Sequence, residues 1–290
     1  MKITVLVENS PGPSAELEPE FGLSLLIEAG NRKILLDTGA SGRFAVNAQK
    51  LNFNLESVDL LVLSHGHYDH GGGLQTFFEC NSSAKAIVRK GADRSFFGTL
   101  LPGLPDLLHQ TGVATRYIGL EKRVVERYAE RIHWIDDNLE PFPGVRIVTR
   151  IPRTHALARG NRYLLEQKEG RYFADDFSHE LLLVVEEENG AVVFSGCAHN
   201  GILNMVEAAS NDKPGRPIRS VIGGFHLNLP RSERMSATEM EIKDLALELG
   251  RQVTGTIYTG HCTGSEAFKT MKTVLGERLQ ALCTGIQFEV

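Results

Sequence analysis

The chain has 290 residues, of which 42% are hydrophobic and 23% are charged, and its formal net charge is -5. The composition is that of an ordinary globular protein; its negative balance argues against a nucleic-acid partner, and no apolar run reaches the roughly 20 residues that span a membrane. Four cysteines without a C-x-x-C pair do not make a disulfide framework and the early polar residues are unlike a signal peptide, so we expect a cytoplasmic protein.

The first half of the chain alternates short strand-like runs with helical spacing. Strands are predicted at KITVLVEN, at LSLLIEAG and over residues 32–39. In the next stretch Phe44, Ala48 and Leu51 recur on one face, which predicts a helix. DLLVLSHGH is a continuous apolar run typical of a strand buried on both faces, and a helix (GGLQTFFEC) and a strand (AKAIVRK) follow it. Residues 91–140 are less regular and are interpreted as an elaborated segment, able to serve as a lid.

Strands return from GVRIVTRIPR onward, with a hairpin turn predicted at residues 187–190. Two later helices are predicted from capping boxes, Ser236 with Glu239 and Thr263 with Glu266. Strands alternate with helices in both halves, and no low-complexity linker separates them. The pattern therefore predicts one α/β domain over residues 1–290, with two sheets between helical layers.

The segment SHGHYDH concentrates three histidines and an aspartate in the order H-x-H-x-D-H. Neutral imidazole and carboxylate are ligands that suit zinc, iron or manganese. His65 and His67 are two residues apart at a strand end, so both can point to one face. Asp69 and His70 follow where the chain must turn, and we expect them to serve another side. Two ions about 4 Å apart fit this pattern better than one; the alternative is a loop without metal or with a single structural ion.

SHGHYDH resembles the signature of the metallo-β-lactamase superfamily, and the resemblance covers most of the chain. LLDTG lies upstream, and FSGCAHNGI, IGGFHL and TGHCTG lie downstream. The combination is most similar to the dihydropterin-methyl ribofuranosyl-aminobenzene phosphate synthases, which join a pterin-methyl diphosphate to a ribosylated aminobenzene phosphate. The resemblance implies an αββα sandwich of two mixed sheets flanked by helices. It also implies two divalent ions, preferably zinc, with manganese, iron or magnesium as alternatives, at one edge between the sheets.

The resemblance extends the ligand set beyond the signature. His261 matches the last ligand histidine of the superfamily and would complete one shell with Asp69 and His70. The third ligand beside His65 and His67 has two candidates. His199 matches the histidine of the synthase subfamily and is preferred over His179, which lies near the position of the superfamily's third motif.

Two further residues of the site follow from the same resemblance. Cys197 stands where the superfamily usually has a bridging aspartate. A thiolate can still bind zinc, but the residue can also be a small buried thiol without metal contact. Asp37, in the upstream motif, is expected to lie behind the ligands.

Several features favour a phosphorylated small molecule as the substrate. Thr263 precedes a predicted helix N-terminus, and such termini bind anions. Gly223, Gly224 and His226 can donate to a phosphate, and Arg153 is a candidate clamp. Each has a plainer interpretation, in which the threonine only caps its helix, the glycines mark a tight turn and the arginine is solvated.

The predicted site is compatible with three functions. As a transferase, it would hold a diphosphate leaving group while the second substrate attacks. As a hydrolase of an ester, thioester or phosphodiester, it would use hydroxide as the nucleophile, with Asp69 as the catalytic residue that orients it. A non-catalytic metal-binding sensor is the third possibility, against which the intact H-x-H-x-D-H set argues. The sequence does not choose between transfer and hydrolysis.

Overall fold

A computed structural model describes residues 1–99, 115–230 and 232–290. Part of the elaborated segment predicted for residues 91–140, namely residues 100–114, lies outside the described residues. No helix in the described ranges is long and apolar enough to cross a membrane.

The first sheet has seven strands in the spatial order β18-β1-β2-β3-β4-β5-β8. Their bounds are β1 Lys2–Val7, β2 Ser24–Ala29, β3 Arg32–Leu36, β4 Leu60–Leu63, β5 Lys85–Arg89, β8 Ile132–Ile135 and β18 Gln287–Glu289. From β3 through β8 the strands are parallel, whereas the other pairs are antiparallel. The sheet is therefore mixed, as predicted.

The second sheet also has seven strands, in the order β17-β16-β15-β14-β13-β10-β9. Their bounds are β9 Leu139–Phe142, β10 Val145–Val148, β13 Leu182–Glu187, β14 Gly190–Phe194, β15 Ile218–Gly223, β16 Ile257–Thr259 and β17 Leu279–Ala281. The strands from β14 to β17 are parallel. The hairpin predicted at residues 187–190 is confirmed, since Glu187 pairs with Gly190 between β13 and β14.

Helices cover the outer faces of both sheets. They are α1 Arg43–Lys50, α2 Tyr68–Gly71, α3 Leu74–Cys80, α4 Lys122–Arg127, α5 Ile202–Asp212, α6 Glu239–Gln252 and α7 Ser265–Leu275. The burial of β13 shows the layering: Leu183 and Val185 pack in the core between the sheets, and Leu182 and Val184 pack against the outer helices. Alternate residues of a strand point to opposite faces, so both faces of β13 must be apolar. The predicted αββα sandwich is confirmed.

The prediction of two sheets was incomplete. A third, antiparallel sheet has the order β12-β11-β6-β7. Its strands are β6 Ser95–Thr99, β7 Thr115–Tyr117, β11 Leu164–Lys168 and β12 Arg171–Ala174. Two of these strands come from the less regular middle segment, and the other two come from a stretch downstream of it that begins at Leu164. Because the strands are short and paired across the chain, no local pattern reveals the sheet.

The capping box predicted for α6 was wrong by two residues. Thr238, not Ser236, is the N-cap; its hydroxyl accepts from the Glu241 amide and the Glu241 carboxylate accepts from the Thr238 amide. The Ser236 hydroxyl instead donates to the carbonyl of Leu227. Both pairs fit the same S/T-x-x-E pattern, so only the chain direction entering the helix distinguishes them.

The capping box predicted at Thr263 and Glu266 was also wrong. Gly264 is the N-cap of α7, and Thr263 lies in a preceding 3-10 turn, His261–Thr263. The buried Thr263 hydroxyl accepts from the Phe225 amide. The first amide of α7 is already taken, because Ser265 donates to the Glu233 carboxylate. One amide of the helix N-terminus that was predicted to bind an anion is therefore already engaged.

Candidate metal centre

The candidate centre lies where parallel strands of both large sheets end. Asp37 follows β3, His65 follows β4, Cys197 follows β14 and His261 follows β16. Carboxyl ends of parallel strands meet at one edge of a sheet, which brings positions far apart in the chain together. All four side chains are buried.

The first group of ligand atoms comes from three buried histidines. His65 Nε2 lies 3.1 Å from His67 Nδ1. The His199 ring centroid lies 4.9 Å from that of His65 and 5.0 Å from that of His67. His199 Nε2 is buried without a hydrogen-bond partner. A buried nitrogen that has no hydrogen-bond partner and lies beside two other imidazoles is typical of a metal ligand.

His179, the alternative third ligand, has no free ring nitrogen. Its Nδ1 accepts from the Gly66 amide at 3.1 Å, and its Nε2 lies 3.1 Å from Asp175 Oδ2. Its ring is also farther from His65, with 6.2 Å between centroids. The geometry therefore favours His199 as the ligand. His179 instead supports the candidate metal-binding loop through its hydrogen bond with the Gly66 amide.

The second group consists of Asp69, His70, Cys197 and His261. His70 Nε2 lies 3.1 Å from His261 Nε2 and 3.1 Å from Cys197 Sγ. Asp69 Oδ2 lies 3.3 Å from His261 Nε2 and 3.8 Å from His70 Nε2. Cys197 Sγ also lies within 4.8 Å of ligand atoms of His65 and His199. The thiol thus stands between the two groups.

These spacings fit bound divalent ions. With about 2.0–2.1 Å between the ion and each nitrogen, a tetrahedral shell places two ligand nitrogens about 3.3–3.4 Å apart. The nitrogen pairs of both groups are separated by 3.1 Å. Two buried imidazole nitrogens at that distance repel unless a proton or an ion lies between them.

Protein oxygens hold the outer nitrogen of four of the ligand histidines, which fixes each ring's orientation. The pairs are His65 with Ser64 Oγ at 2.8 Å, His70 with Asp37 Oδ2 at 2.6 Å, His199 with Asn161 Oδ1 at 3.1 Å and His261 with Asn9 Oδ1 at 2.9 Å. Asp37 thus lies behind a ligand, as the sequence predicted. Asn9 and Asn161 were not predicted, because a lone asparagine carries no motif.

The electrostatics keep three of the candidate ligands, His65, His199 and Asp69, in their metal-binding forms. Burial, reinforced by the neighbouring rings, lowers the pKa of His65 and of His199 well below the ordinary value, so both stay neutral at pH 7. Burial alone would raise the pKa of Asp69, but His70 and His261 beside it hold that pKa well below its usual value.

Burial raises the pKa of the Cys197 thiol, so a bound ion has to displace its proton. For His261, burial alone would lower the pKa, but Cys262, Asp69 and Glu8 beside it raise that pKa to about 9, so a bound ion has to displace its proton as well.

Two buried carboxylates brace the loops that carry the ligands, and sequence reasoning missed both. Glu180 accepts from the amides of His199 and Asn200 at 2.8 and 2.7 Å. Glu8 accepts from the amide of His261. Glu8 and His261 are 253 positions apart, so no sequence signal links them.

Strained backbone concentrates in the same loops. Asp37, Ala198, His226 and His261 have φ values of 60°, 54°, 49° and 51°. Residues with side chains avoid this region, and when the surrounding structure enforces it, the position often serves a site. Three of these four residues, Asp37, His226 and His261, have side chains in the ligand groups or in contact with them.

A cleft of about 400 Å³ opens above the ligands, and His67, Asp69, Cys197 and His199 form part of its floor. Its walls are mainly apolar and aromatic, formed by Phe21, Tyr68, Ile118, Tyr163 and Leu164. Arg116, on β7, is the only lysine or arginine among the described lining residues. Its guanidinium carbon lies 5.5 Å from the centre of the Tyr68 ring. The sequence reasoning missed Arg116, since it lies in the irregular segment.

Of the predicted substrate contacts, the structure brings His226 to the cleft. Its ring lies 4.3 Å from that of His199, and neither of its buried nitrogens has a partner. The other four, Gly223, Gly224, Thr263 and Arg153, do not line the described cleft. The Gly224 amide donates to the carbonyl of Gly196, and the exposed Arg153 donates to the carbonyl of Asp176. A Cβ on Gly223 would lie 2.1 Å from the carbonyl of Ser195, so this glycine serves close packing.

Comparison with known proteins bears on the whole chain. The model of the metallo-beta-lactamase superfamily matches residues 17–261. The 7,8-dihydropterin-6-methyl-4-(beta-D-ribofuranosyl)-aminobenzene-5'-phosphate synthase of Methanocaldococcus jannaschii is 29% identical over 276 residues, covering 92% of this chain and 89% of that protein. An uncharacterised protein of the same archaeon is 27% identical, covering 78% and 79% of the two chains.

Solved structures agree with these relatives. A metal-dependent hydrolase of the beta-lactamase superfamily superposes with a TM-score of 0.79 and 26% identity, covering 100% of this chain and 99% of that one. Zinc-bound PqqB from Methylobacterium extorquens has a TM-score of 0.56 at 12% identity, with full coverage of both chains. The second likeness concerns the fold alone.

Proposed function

The chain belongs to the metallo-β-lactamase superfamily, and on that premise we propose that it is a dinuclear metalloenzyme acting on a phosphorylated or diphosphate-bearing small molecule. The observation that carries the proposal is the convergence of two ligand groups, with Cys197 between them, on the floor of an apolar cleft. Such a floor can hold the polar end of a substrate while the walls bind its rings.

In the proposed enzyme, His65, His67 and His199 hold one ion and Asp69, His70 and His261 hold the other, with Cys197 available to both. Nitrogen, carboxylate and thiolate donors together suit zinc best among common ions. Two such ions polarise phosphoryl oxygens, lower the pKa of bound water and orient a leaving group. We place the enzyme in the cytoplasm, where reducing conditions keep Cys197 a thiol.

The chain's own residues supply positioning and proton handling. Asp69, ionised at neutral pH, can accept a hydrogen bond from the nucleophile's O–H or N–H and orient its attack. His226 lines the cleft and its two ring nitrogens have no partner, so the ring N–H can donate to a phosphate oxygen. Arg116 adds a positive charge to the cleft lining.

The relative from Methanocaldococcus jannaschii supports a transferase that releases diphosphate. A transferase must keep water away while a second substrate attacks, and mainly apolar walls contribute to that. The aromatic side chains Phe21, Tyr68 and Tyr163 offer flat surfaces for ring-shaped substrates. We therefore propose a transfer reaction similar to that of the synthase.

Hydrolysis is the second candidate, and one observation favours it. The solved structure with a TM-score of 0.79 and full coverage of this chain is described as a metal-dependent hydrolase. Phosphodiesters, thioesters and other esters are the substrate classes to test. In that case a water molecule would take the place of the second substrate beside Asp69.

A substrate screen with defined metal content tests the proposal. Metal-free protein is reloaded separately with zinc, manganese or iron. Each form receives either a pterin-methyl diphosphate with the ribosylated aminobenzene phosphate, or a panel of phosphodiesters and thioesters. Product from the pterin pair alone supports the transferase, whereas turnover of a simple ester without the pterin product refutes it.

The Asp69→Ala variant tests the non-catalytic alternative. Asp69 is both an ion ligand and the residue that would orient the nucleophile, so we expect the variant to lose turnover. If cellular function survives the substitution and the loss of metal, the enzyme proposal fails. A matched control is Asp59→Ala, since Asp59 lies outside the described cleft.

A further inference from the structure

A second set of metal-binding side chains adjoins the dinuclear centre. Cys262 and His226 are not among the six histidine and aspartate ligands, yet their ligand atoms lie within 4.8 Å of each other and of Cys197 Sγ. All three residues line the cleft. An ion entering the cleft can therefore reach this cluster without passing through the dinuclear site.

The His226 ring is buried without a hydrogen-bond partner. Both of its nitrogens are buried, and neither makes a hydrogen bond with the described part of the chain. The backbone holds the residue at a φ of 49°, in the left-handed region. Its amide donates to Cys262 Sγ at 3.3 Å, so the same interaction that supports the turn places the thiol beside the ring. Backbone strain and unpaired nitrogens at the same residue are typical of a position that binds a ligand.

The neighbouring backbone leaves room for this arrangement. A Cβ on Gly224 would lie 2.6 Å from Cys262 Sγ, and a Cβ on Gly160 would lie 2.7 Å from His226 Nε2. A side chain at either position would displace one of the ligand atoms. The Cys262 thiol donates a hydrogen bond to the Cys197 carbonyl at 3.8 Å. A hydrogen bond of that length is weak, so a bond from Cys262 to an ion can replace it.

We propose that Cys197, His226 and Cys262 form a third cation site, which takes thiophilic ions such as zinc, cadmium or copper(I). Two sulfur donors and one imidazole make this set softer than Asp69, His70 and His261. Each thiol that binds loses its proton to solvent as its bond to the ion forms. A cleft-facing fourth position is left for water or for a substrate atom.

Sharing Cys197 couples the third site to the dinuclear centre. An ion held by Cys262 and His226 would also bind the Cys197 thiolate, which is otherwise available to the two ions of the dinuclear centre. It also occupies one ring nitrogen of His226, a residue that lines the cleft. Excess thiophilic metal should therefore inhibit turnover, whatever the substrate, while a hard ion such as manganese should not.

Metal counting tests the site directly and does not require a substrate, so its outcome is independent of the proposed reaction. Protein loaded with two equivalents of zinc is dialysed against cadmium, and total bound metal is measured together with the ultraviolet absorption of sulfur–cadmium bonds. We expect three ions in the wild-type protein. Cys262→Ser and His226→Ala should each retain two, with a weaker sulfur–cadmium band in the serine variant.

Cys80→Ser is the matched control, because Cys80 is an exposed cysteine outside the described cleft. It should bind as much cadmium as the wild type. Three ions in both Cys262→Ser and His226→Ala, with an unchanged band in the former, would overturn the third site. If Cys262→Ser does not fold, the ion count of His226→Ala decides alone.

Discussion

At the scale of single residues, the second nitrogen of a histidine ring decides what the first can do. His179 and His199 are both fully buried and both close to His65. The two nitrogens of His179 are engaged by Gly66 and Asp175, whereas Nε2 of His199 has no partner. Sequence position alone had kept both as candidates, with His199 preferred for its match to the subfamily.

Removing the His199 ring and removing the His179 ring should therefore change the metal content of the protein differently. We expect His199→Ala to bind one ion less, because it deletes a ligand. His179→Ala should keep both ions with an affinity reduced roughly 10–100-fold, as is usual when a group behind a ligand is lost. Competition with a chelator measures both effects, and His133→Ala, an exposed histidine, is the control. Equal metal loss in the two variants would contradict the assignment.

The Glu180 side chain shows a second effect at this scale. It is fully buried and accepts three hydrogen bonds, from the amides of His199 and Asn200 and from the Asn200 side chain. Burial raises the pKa of Glu180, which signals that its charge is costly in this place. The Glu180 carboxylate nevertheless stabilises the turn that carries His199, because its oxygens accept the hydrogen bonds of that turn's amides.

Truncation of Glu180 should be costly. Glu180→Ala leaves two buried backbone amides unpaired, at about 1–3 kcal/mol each, so we expect a loss of about 2–6 kcal/mol in the free energy of unfolding. Urea denaturation of the metal-free protein measures it. Glu180→Gln keeps an acceptor oxygen and should recover part of the loss, while Glu277→Ala, at an exposed site, should change little. A small effect of Glu180→Ala would show that water replaces the carboxylate.

At the scale of elements, helix starts were less predictable than helix bodies. The capping box of α6 uses Thr238 and Glu241, although Ser236 and Glu239 fit the same pattern. The Ser236 hydroxyl is engaged by Leu227, in the loop that also carries His226. Contacts within the segment that leads into the helix therefore select which of the two overlapping boxes forms.

The real and the rejected box should respond differently to substitution. Thr238→Ala should lower the free energy of unfolding by about 0.5–2 kcal/mol, the usual range for a lost N-cap. Glu239→Ala should cost less, since it removes only a solvent-exposed ion pair with Lys243, and such pairs contribute little to stability. Thermal denaturation under one metal condition compares them. A larger effect of Glu239→Ala would restore the sequence-based assignment.

At the scale of the whole molecule, a charged cluster ties the second sheet to its covering helix. Arg146 of β10 contacts Glu186 of β13 at 2.8 Å and pairs with Asp212 of α5, and Arg216 reaches Glu186 at 2.9 Å. Burial opposes ionisation, but hydrogen bonds from Arg146 and Arg216 hold the pKa of Glu186 below its ordinary value. The charged form of Glu186 is therefore favoured by folding.

That preference gives a pH dependence with a definite sign. The pKa of Glu186 is lower in the folded than in the unfolded chain, so its contribution is fully present above the unfolded value of 4.5. It is lost as the pH falls from there through the folded pKa. We expect Glu186→Gln to unfold with a weaker dependence on pH in this window than the wild type. Urea denaturation at a series of pH values measures this, with Glu277→Gln as control; parallel curves for Glu186→Gln and wild type would refute it.

The sequence by itself determined the histidine–aspartate cluster at residues 65–70 and an architecture of two sheets between helical layers, because these rest on a contiguous motif and on apolar runs whose period reports burial. The resemblance to the superfamily added the αββα order and predicts His261 as a further ligand. Only the tertiary structure decided the partners that cross the chain: Glu8 with His261, Asn161 with His199, and Arg116 on the cleft wall. It also decided that Thr263 and Gly224 are structural, since their polar groups are already bonded. The physical reason is that a side chain's role depends on which of its polar atoms remain free, and that depends on groups brought near by folding rather than by sequence.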